Sequence, residues 1–430
     1  MRKKHFLFAS VLALLCSSST LHAQDFKLTS SGYFKNQGVD VMAFDDIYPE
    51  GHQGGVCIIM NGHRVATNGD IRLEATPGQW QPVPKQLDRK LGDNSITATL
   101  CYPDSSRHLT GFNPMIYPDL HLIYTVNVES KGKNIEVTVD LDRPIPQEFI
   151  GKVGFNLEFF PGSLFGKPWI MDGQSGIFPQ QPNSPLMTTQ PNYLHTGNYH
   201  DGKKSLADMD KLIGKGYSPI VADDIISEPY AKGTKFTSRP DDPYNKVTIE
   251  SLSGDLQLFD GRMNHNNGWF VLRSNIKPGV TKGAVKWIIT PNVVADWMYQ
   301  PVIQTSQIGY HPTQDKEAVI EMDIRDNRKE TAQIIRIDAD GEKVVKNVTP
   351  ANWGKFLRYN YLKVNFTDVK EPGLYKIKYN TSVSPIFRID NDVYARGVWQ
   401  PVLEYFLPVQ MCHMRVNEKY RVWHDCCCLL

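Results

Sequence analysis

Apolar and polar residues alternate at a period of two along most of this chain, the pattern of strands that bury one face. Between residue 25 and about 300, Gly55–Met60, Asp119–Glu129, Asn134–Asp140 and Val153–Phe159 read as strands, and Val247–Glu250, Leu256–Phe259, Gly268–Arg273 and Ala284–Thr290 continue the series. β-branched and aromatic residues dominate these runs, as a pleated surface favours. Asn61-Gly62 and Ser130–Lys133 read as hairpin loops between them. From Phe160 to Tyr230 the alternation thins into Pro-, Gly- and Asn-rich stretches. Ser205–Ile213 interrupts them: a serine start, a carboxylate three residues later and Gly214 at its end predict a short surface helix.

Beyond Ile303 the alternation is at its most regular. Val319–Asp323, Gln333–Asp338, Leu362–Asp368 and Gly373–Tyr379 are four predicted strands, with Asp340-Gly341 as a tight hairpin joining two runs. After Asp390 the period changes. Tyr394, Val398, Val402, Phe406 and Val409 fall on one helical face. Pro401 and Pro408 each remove a backbone donor, so the expected form is a turn from Asp392 and then a main helix from Gln400, with Pro401 in its first turn, through Met414. The prediction is a mainly β chain: a large β-sandwich, a second smaller sandwich and a short helical end.

Composition narrows the function class. The chain is 41% hydrophobic and 22% charged with a formal net charge of +1, which excludes a strong electrostatic pull toward nucleic acid or acidic membranes. Arg2-Lys-Lys4, the apolar run Phe6–Leu15 and Leu21-His-Ala23 form a signal peptide, too short to act as a membrane anchor. The mature protein is expected in the periplasm or outside the cell, beginning near Gln24. Lipid anchoring at Cys16 is disfavoured by the bulky Leu15 before it. Of seven cysteines, Cys57 and Cys101 sit in strand-like runs and read as buried thiols, with a disulfide between them as the alternative. Cys412 and Cys426–Cys428 lack the spacing of a closed zinc site, and neither a metal nor another cofactor is predicted.

Three segments together resemble glycoside hydrolase family 9. They are Ser306-Gln-Ile-Gly-Tyr-His-Pro312, the closing Phe387-Arg-Ile-Asp-Asn-Asp-Val-Tyr394, and Val402-Leu-Glu-Tyr-Phe-Leu-Pro-Val-Gln410. Trp423-His-Asp-Cys-Cys-Cys428 is similar to a Trp-His-x-x-Cys-His segment of that family, with Cys428 where histidine is expected. The resemblance implies an immunoglobulin-like module ahead of an (α/α)6 barrel, and inverting hydrolysis of β-1,4-glucan. The large region before it resembles, in pattern only, the supersandwich of galactose-mutarotase-like proteins. The implied organisation is a signal peptide at 1–23, a large sandwich at 24–300, an immunoglobulin-like domain at 301–390 and the start of a barrel at 391–430.

Inverting hydrolysis needs one carboxyl group to protonate the leaving oxygen and a second to activate water from the opposite face. The family places its base in an Asp-Ala-Gly-Asp motif, which this sequence does not contain. No catalytic residue is assigned, and the chain is expected to be an inactive N-terminal portion of a secreted glucanase. The alternative is a non-catalytic carbohydrate-binding or scaffolding protein. A mutarotase-like enzyme is a third reading that no His/Glu constellation supports. Asp172, Asp223 and Asp224 read as solvated turn residues, and His195, His200, His265 and His311 as scattered loop residues. Trp80 and Trp169, in Pro/Gly-rich loops, are the expected sugar contacts, whereas Trp269 and Trp287 lie in alternating strands and are expected in the core. The resemblance adds His424 as a residue of the substrate cleft. A β-glucan is the expected partner, with no nucleic acid and no transmembrane segment.

Overall fold

The computed structural model describes residues 25–45, 54–74, 77, 84–102, 120–182, 227–263, 268–395, 397–410, 415–418 and 421–424, the residues after Tyr405 by backbone alone. The chain divides into two compact units, Met1–Trp297 and Met298–Leu430.

The first unit is a sandwich of two nine-stranded antiparallel sheets. The strands of one run in space as Lys27–Leu28, Phe34–Asn36, Val39–Ala43, Val56–Met60, His63–Leu73, Val153–Phe159, Phe270–Asn275, Leu256–Asp260 and Ala231–Gly233. Those of the other run as Gln174–Ile177, Pro168–Met171, Lys235–Ser238, Val247–Ser251, Val285–Pro291, Asn134–Leu141, Leu122–Lys131, Ser95–Tyr102 and Lys85–Leu91. The predicted strands are all present, shifted by a few residues at their ends. Asn61 and Gly62 form the expected hairpin turn, both at positive φ, the combination that matches strand twist. A single apolar cluster fills the space between the sheets. At its centre Phe155 meets Trp287 edge-on at 5.0 Å, and the buried Trp287 indole donates to Ser274 Oγ at 3.0 Å, which satisfies its only polar atom.

Trp169 departs from expectation. It stands in the Pro168–Met171 strand rather than in a loop, 7% exposed, with its ring closed over Gly176 on the neighbouring strand. Only a residue without Cβ fits there, since a Cβ on Gly176 would lie 2.4 Å from the indole. The two short strands fall in the stretch where the alternation thins, because Pro168 and Gly176 obscure the period. Trp269 is half-buried just before its strand, its ring edge-on to Phe160 at 4.5 Å. The predicted helix Ser205–Ile213 lies outside the described residues.

The second unit is the smaller sandwich. One sheet has the order Val302–Gln304, Glu317–Asp323, Tyr359–Asn365, Ala351–Phe356. The other has Gly341–Val348, Ala332–Asp338, Gly373–Tyr379 and Ser382–Val383, with Phe387–Ile389 also on Gly373–Tyr379. Ile320, Leu362, Val364, Ile334 and Ile377 are fully buried between them. The hairpin at Asp340 forms with Ala339 and Asp340 in the turn, while Gly341 opens the next strand opposite Asp338.

Its opening and closing segments meet. Tyr310 N–H donates to the carbonyl of Arg388, Asp390 N–H donates to that of Tyr310, and the Tyr310 ring packs edge-on against Phe366 and Phe387 at 5.1 and 5.3 Å. Tyr310 OH accepts from Ser306 N–H and donates to the carbonyl of Glu317, both at 3.0 Å. Gly309 has φ +103, and a Cβ there would lie 2.3 Å from the Arg388 oxygen. The sequence Ser306-Gln-Ile-Gly-Tyr310 is thus a clasp that closes the sandwich, and glycine is the residue that permits it.

A turn over Asn391–Ala395 precedes the helix Gln400–Gln410, which begins where Pro401 can occupy the first turn. Beyond it, Arg415–Glu418 and Arg421–His424 pair as a two-stranded sheet.

Candidate functional site

Three adjacent strands of the large sandwich, His63–Leu73, Val153–Phe159 and Phe270–Asn275, are buried on both faces, and the second face is polar. Asn156 stands in register with Arg273 on one side and Asp70 on the other. Arg273, 1% exposed, donates from Nη1 to Glu74 Oε1 at 3.1 Å and to Asn156 Oδ1 at 3.3 Å. Its Nη2 donates to the carbonyls of Glu74 and Lys152 at 2.9 Å, and Nε to Asn275 Oδ1 at 2.7 Å. Every guanidinium nitrogen has a partner, which is what allows so large a cation to be buried. Asn156 Nδ2 in turn donates to Glu74 Oε1.

Asp70, fully buried, accepts from Tyr124 OH at 2.9 Å and from Ile71 N–H at 2.7 Å, with Arg72 at 3.7 Å. Asn68 Nδ2 donates to Glu158 Oε2. Loss of water pushes the Asp70 carboxyl up to about 6, against the pull of Arg72 and the Tyr124 hydroxyl. Burial likewise pushes Glu74 up to about 7, against Arg273 and Asn156. Perturbed carboxyls of this kind are a frequent mark of functional sites. These are sealed, however: Asp70 and Glu74 are 0% and 2% exposed, so neither can meet a glycosidic bond of a polysaccharide. The arrangement can hold strands in register and store a proton.

The sequence reading missed this network, although it has a signal. Asn68-Gly-Asp-Ile-Arg-Leu-Glu74 puts polar groups at every second position, and Asn156 and Glu158 do the same in Val153–Phe159. Such alternation ordinarily marks a face toward water.

The smaller sandwich carries an aromatic row on its four-stranded sheet. Trp353, 55% exposed, stands edge-on to Tyr361 at 5.6 Å, Tyr361 lies 6.1 Å from Tyr359, and Tyr359 lies 5.1 Å from Tyr299. The Glu321 carboxylate fastens the row, accepting from Tyr299 OH at 2.9 Å and from Tyr361 OH at 3.2 Å. Partial desolvation and this carboxylate push both phenols upward.

Of the residues singled out in the sequence, Trp80, His195, His200, His265, Asp223 and Asp224 lie outside the described residues, as do Cys412 and Cys426–Cys428. Trp169 is core, as described above. His424 pairs in register with Arg415. Asp172 sits at φ +49 in a turn and accepts from the Thr234 and Lys235 N–H groups at 2.8 and 3.0 Å, a structural clamp. His311 Nδ1 is hydrogen-bonded to Thr313 Oγ1 at 2.9 Å within its own turn. Cys57 and Cys101 are not joined in a disulfide, and Cys57 is buried against Thr67 Oγ1 at 3.1 Å. Among the described residues no group of three His, Cys, Asp or Glu side chains is placed to hold a metal ion, and no helix is long and apolar enough to cross a membrane.

Residues 298–384 match the cellulase N-terminal ig-like domain family. Among solved structures the chain is similar to a metagenome-derived glycoside hydrolase family 9 endoglucanase, 26% identical over 27% of this chain and 22% of that one, with a TM-score of 0.22. A Bacteroides ovatus GH9 structure is 23% identical over 28% of this chain and 20% of that one, with a TM-score of 0.21. A structure titled crystal structure analysis of HI1317 is 8% identical over 63% of this chain and 99% of that one, with a TM-score of 0.24. The chain spans about a fifth of the length of the two glycoside hydrolases. No curated protein matches it.

Proposed function

We propose, from the premise that residues 298–384 are a cellulase N-terminal ig-like domain, that this chain is the exported, non-catalytic N-terminal portion of a family 9 glycoside hydrolase acting on β-1,4-linked glucan. The observation that carries the reading is the coincidence of that match with a self-contained sandwich. It opens with the strand Val302–Gln304 and the Ser306–Tyr310 clasp, closes at Phe387–Ile389 and hands over to the helix Gln400–Gln410. The order of these parts agrees with the family's module-then-barrel arrangement.

Two observations favour a non-hydrolytic role for these residues. Asp-Ala-Gly-Asp is absent from the sequence, and the carboxyls with raised affinity for protons, Asp70 and Glu74, are closed off from any polymer. An inverting pair must instead stand open, about 6.5–9.5 Å apart, with sugar and water between the two groups. Export is part of the same reading, on the strength of Arg2-Lys-Lys4 and the apolar run Phe6–Leu15.

The test is to express the chain with its own leader and assay the recovered protein on carboxymethylcellulose and mixed-linkage β-glucan. The expected protein begins near Gln24 and releases no reducing sugar. Turnover that survives purification and disappears on substituting a carboxylate of this chain would overturn the assignment.

A further inference from the structure

The smaller sandwich has an opening of about 210 Å³ beside its edge strand Ala351–Phe356. Asn327, Arg328, Lys329, Asn352, Lys355 and Asn360 line it together with Gly354 and Leu362, so its polar walls are amides and cations beside an apolar patch. Arg328 is already spoken for, with Nε and Nη2 bound to the two oxygens of Asp326 at 2.9 and 2.7 Å. Lys329 and Lys355 are exposed, and among the described residues no carboxylate forms a salt bridge with either. The opening therefore presents two ammonium groups that form no salt bridge among the described residues.

A second feature adjoins it. Asn352 and Gly354 line the opening, the strand pairing slips between them, and Trp353 turns its ring to Tyr361 at the head of the aromatic row. Phe356 and Leu357, on the same hairpin, are 56% and 78% exposed.

We propose that this hairpin and the opening behind it form a binding site for a carboxylated polysaccharide, with one acidic sugar at Lys329 and Lys355 and a neighbouring sugar against Trp353. The chemistry of the walls selects this class. A pyranose offers hydroxyls to asparagine amides and an apolar C–H face to an indole, while its carboxylate supplies the charge the lysines lack. The opening is smaller than the roughly 300–1,000 Å³ of pockets for drug-sized ligands, so it suits one unit of a chain that continues outside it. A site of this kind is weak and salt-sensitive, because exposed charges are screened within about 10 Å at 0.1 M salt. The proposal goes beyond the reading of the chain as part of a glucanase and does not require hydrolysis.

The test is native gel electrophoresis of the whole chain in gels containing polygalacturonate, carboxymethylcellulose or hydroxyethylcellulose. Wild type should be retarded by the two carboxylated polymers, and less so by uncharged hydroxyethylcellulose. The Lys329→Gln, Lys355→Gln double variant should bind carboxylated polymer about fivefold or more weakly, as two modest charge contacts imply. Trp353→Ala should weaken binding to a similar degree, about five- to tenfold, through the lost stacking surface. All variants alter exposed side chains, and an unchanged melting temperature verifies their fold. Equal retardation in charged and uncharged polymer, no retardation at all, or folded variants that bind as wild type does would each overturn the proposal. Because the assay reads binding alone, discovery of hydrolytic activity would refute the functional reading above and leave this one standing.

Discussion

The two sandwiches use the same ionisable side chains in opposite ways. In the large one, Arg273 and Glu74 meet at 1% and 2% exposure, and Asp70 is sealed beneath Tyr124. In the small one, Arg325 and Arg328 each reach back two residues to Asp323 and Asp326 and remain 44% and 51% exposed. Burial dominates the first case and pushes the carboxyls up, to about 6 for Asp70 and about 7 for Glu74. In the second, burial acts upward on Asp323 but is outweighed by hydrogen bonds from the Arg325 guanidinium and from the Arg325 and Tyr299 N–H groups, which bring it down to about 2. The lesson is that pairing with arginine does not by itself fix the sign of a carboxylate's shift. Access of water to the pair decides it.

Removing Arg273 should have the largest effect. Arg273→Met leaves Glu74 buried without the Arg273 cation and takes one donor from each of the Glu74 and Lys152 carbonyls, and should destabilise the large sandwich by about 3–5 kcal/mol. Urea unfolding followed by the fluorescence of buried Trp287 would read it. The loss should be greater at pH 8 than at pH 5, because a stranded Glu74 can escape its penalty only by taking up a proton. A loss below about 1 kcal/mol would mean that the cluster is solvated and that the contrast between the sandwiches fails.

Acid–base dependence should separate the two units next. An acid whose pKa is higher folded than unfolded binds more protons in the folded state, so stability falls as pH rises between the two values. For Asp70 and Glu74 that window runs from their ordinary values of 3.8 and 4.5 to about 6 and about 7. The large sandwich should lose stability across it, on the order of 3 kcal/mol per group. Asp323 runs the other way: its contribution is complete above pH 3.8 and is lost as pH falls toward about 2. Denaturant midpoints at pH 4.5 and 7.5, read separately for each unit, would show the large sandwich weakening on the alkaline side. Parallel profiles for the two units would contradict this.

The smallest effect belongs to the exposed pair. Arg325→Ala should cost the small sandwich less than about 1 kcal/mol, since the guanidinium is half in water. Asp323 also keeps the Tyr299 and Arg325 N–H groups as donors at 3.0 Å. A loss as large as that of Arg273→Met would erase the distinction between the sealed and open pairs.

Much of this architecture is written locally. Period-two runs placed Val153–Phe159 and Gly373–Tyr379 with both ends correct, and Asn61-Gly62 announced its hairpin because two consecutive positive φ values exclude most residues. Pro401 set the start of the helix at Gln400 by the same kind of local constraint, a missing donor that only a first turn tolerates. What the alternation could not state was which faces see water. Asn68–Glu74 has the pattern of an ordinary half-exposed strand, yet it lies beside Val153–Phe159, which in turn pairs with Phe270–Asn275. Partners so distant in sequence bring Asp70, Asn156 and Arg273 side by side, and no spacing within any one strand encodes that neighbourhood. Trp169 illustrates the same limit, since its burial depends on Gly176 across a strand pair that proline and glycine disguise. The sequence alone determined strands and turns, because these follow from backbone freedom over a few residues. The tertiary structure alone decided which charges lost their water, because burial is a property of all the strands packed together.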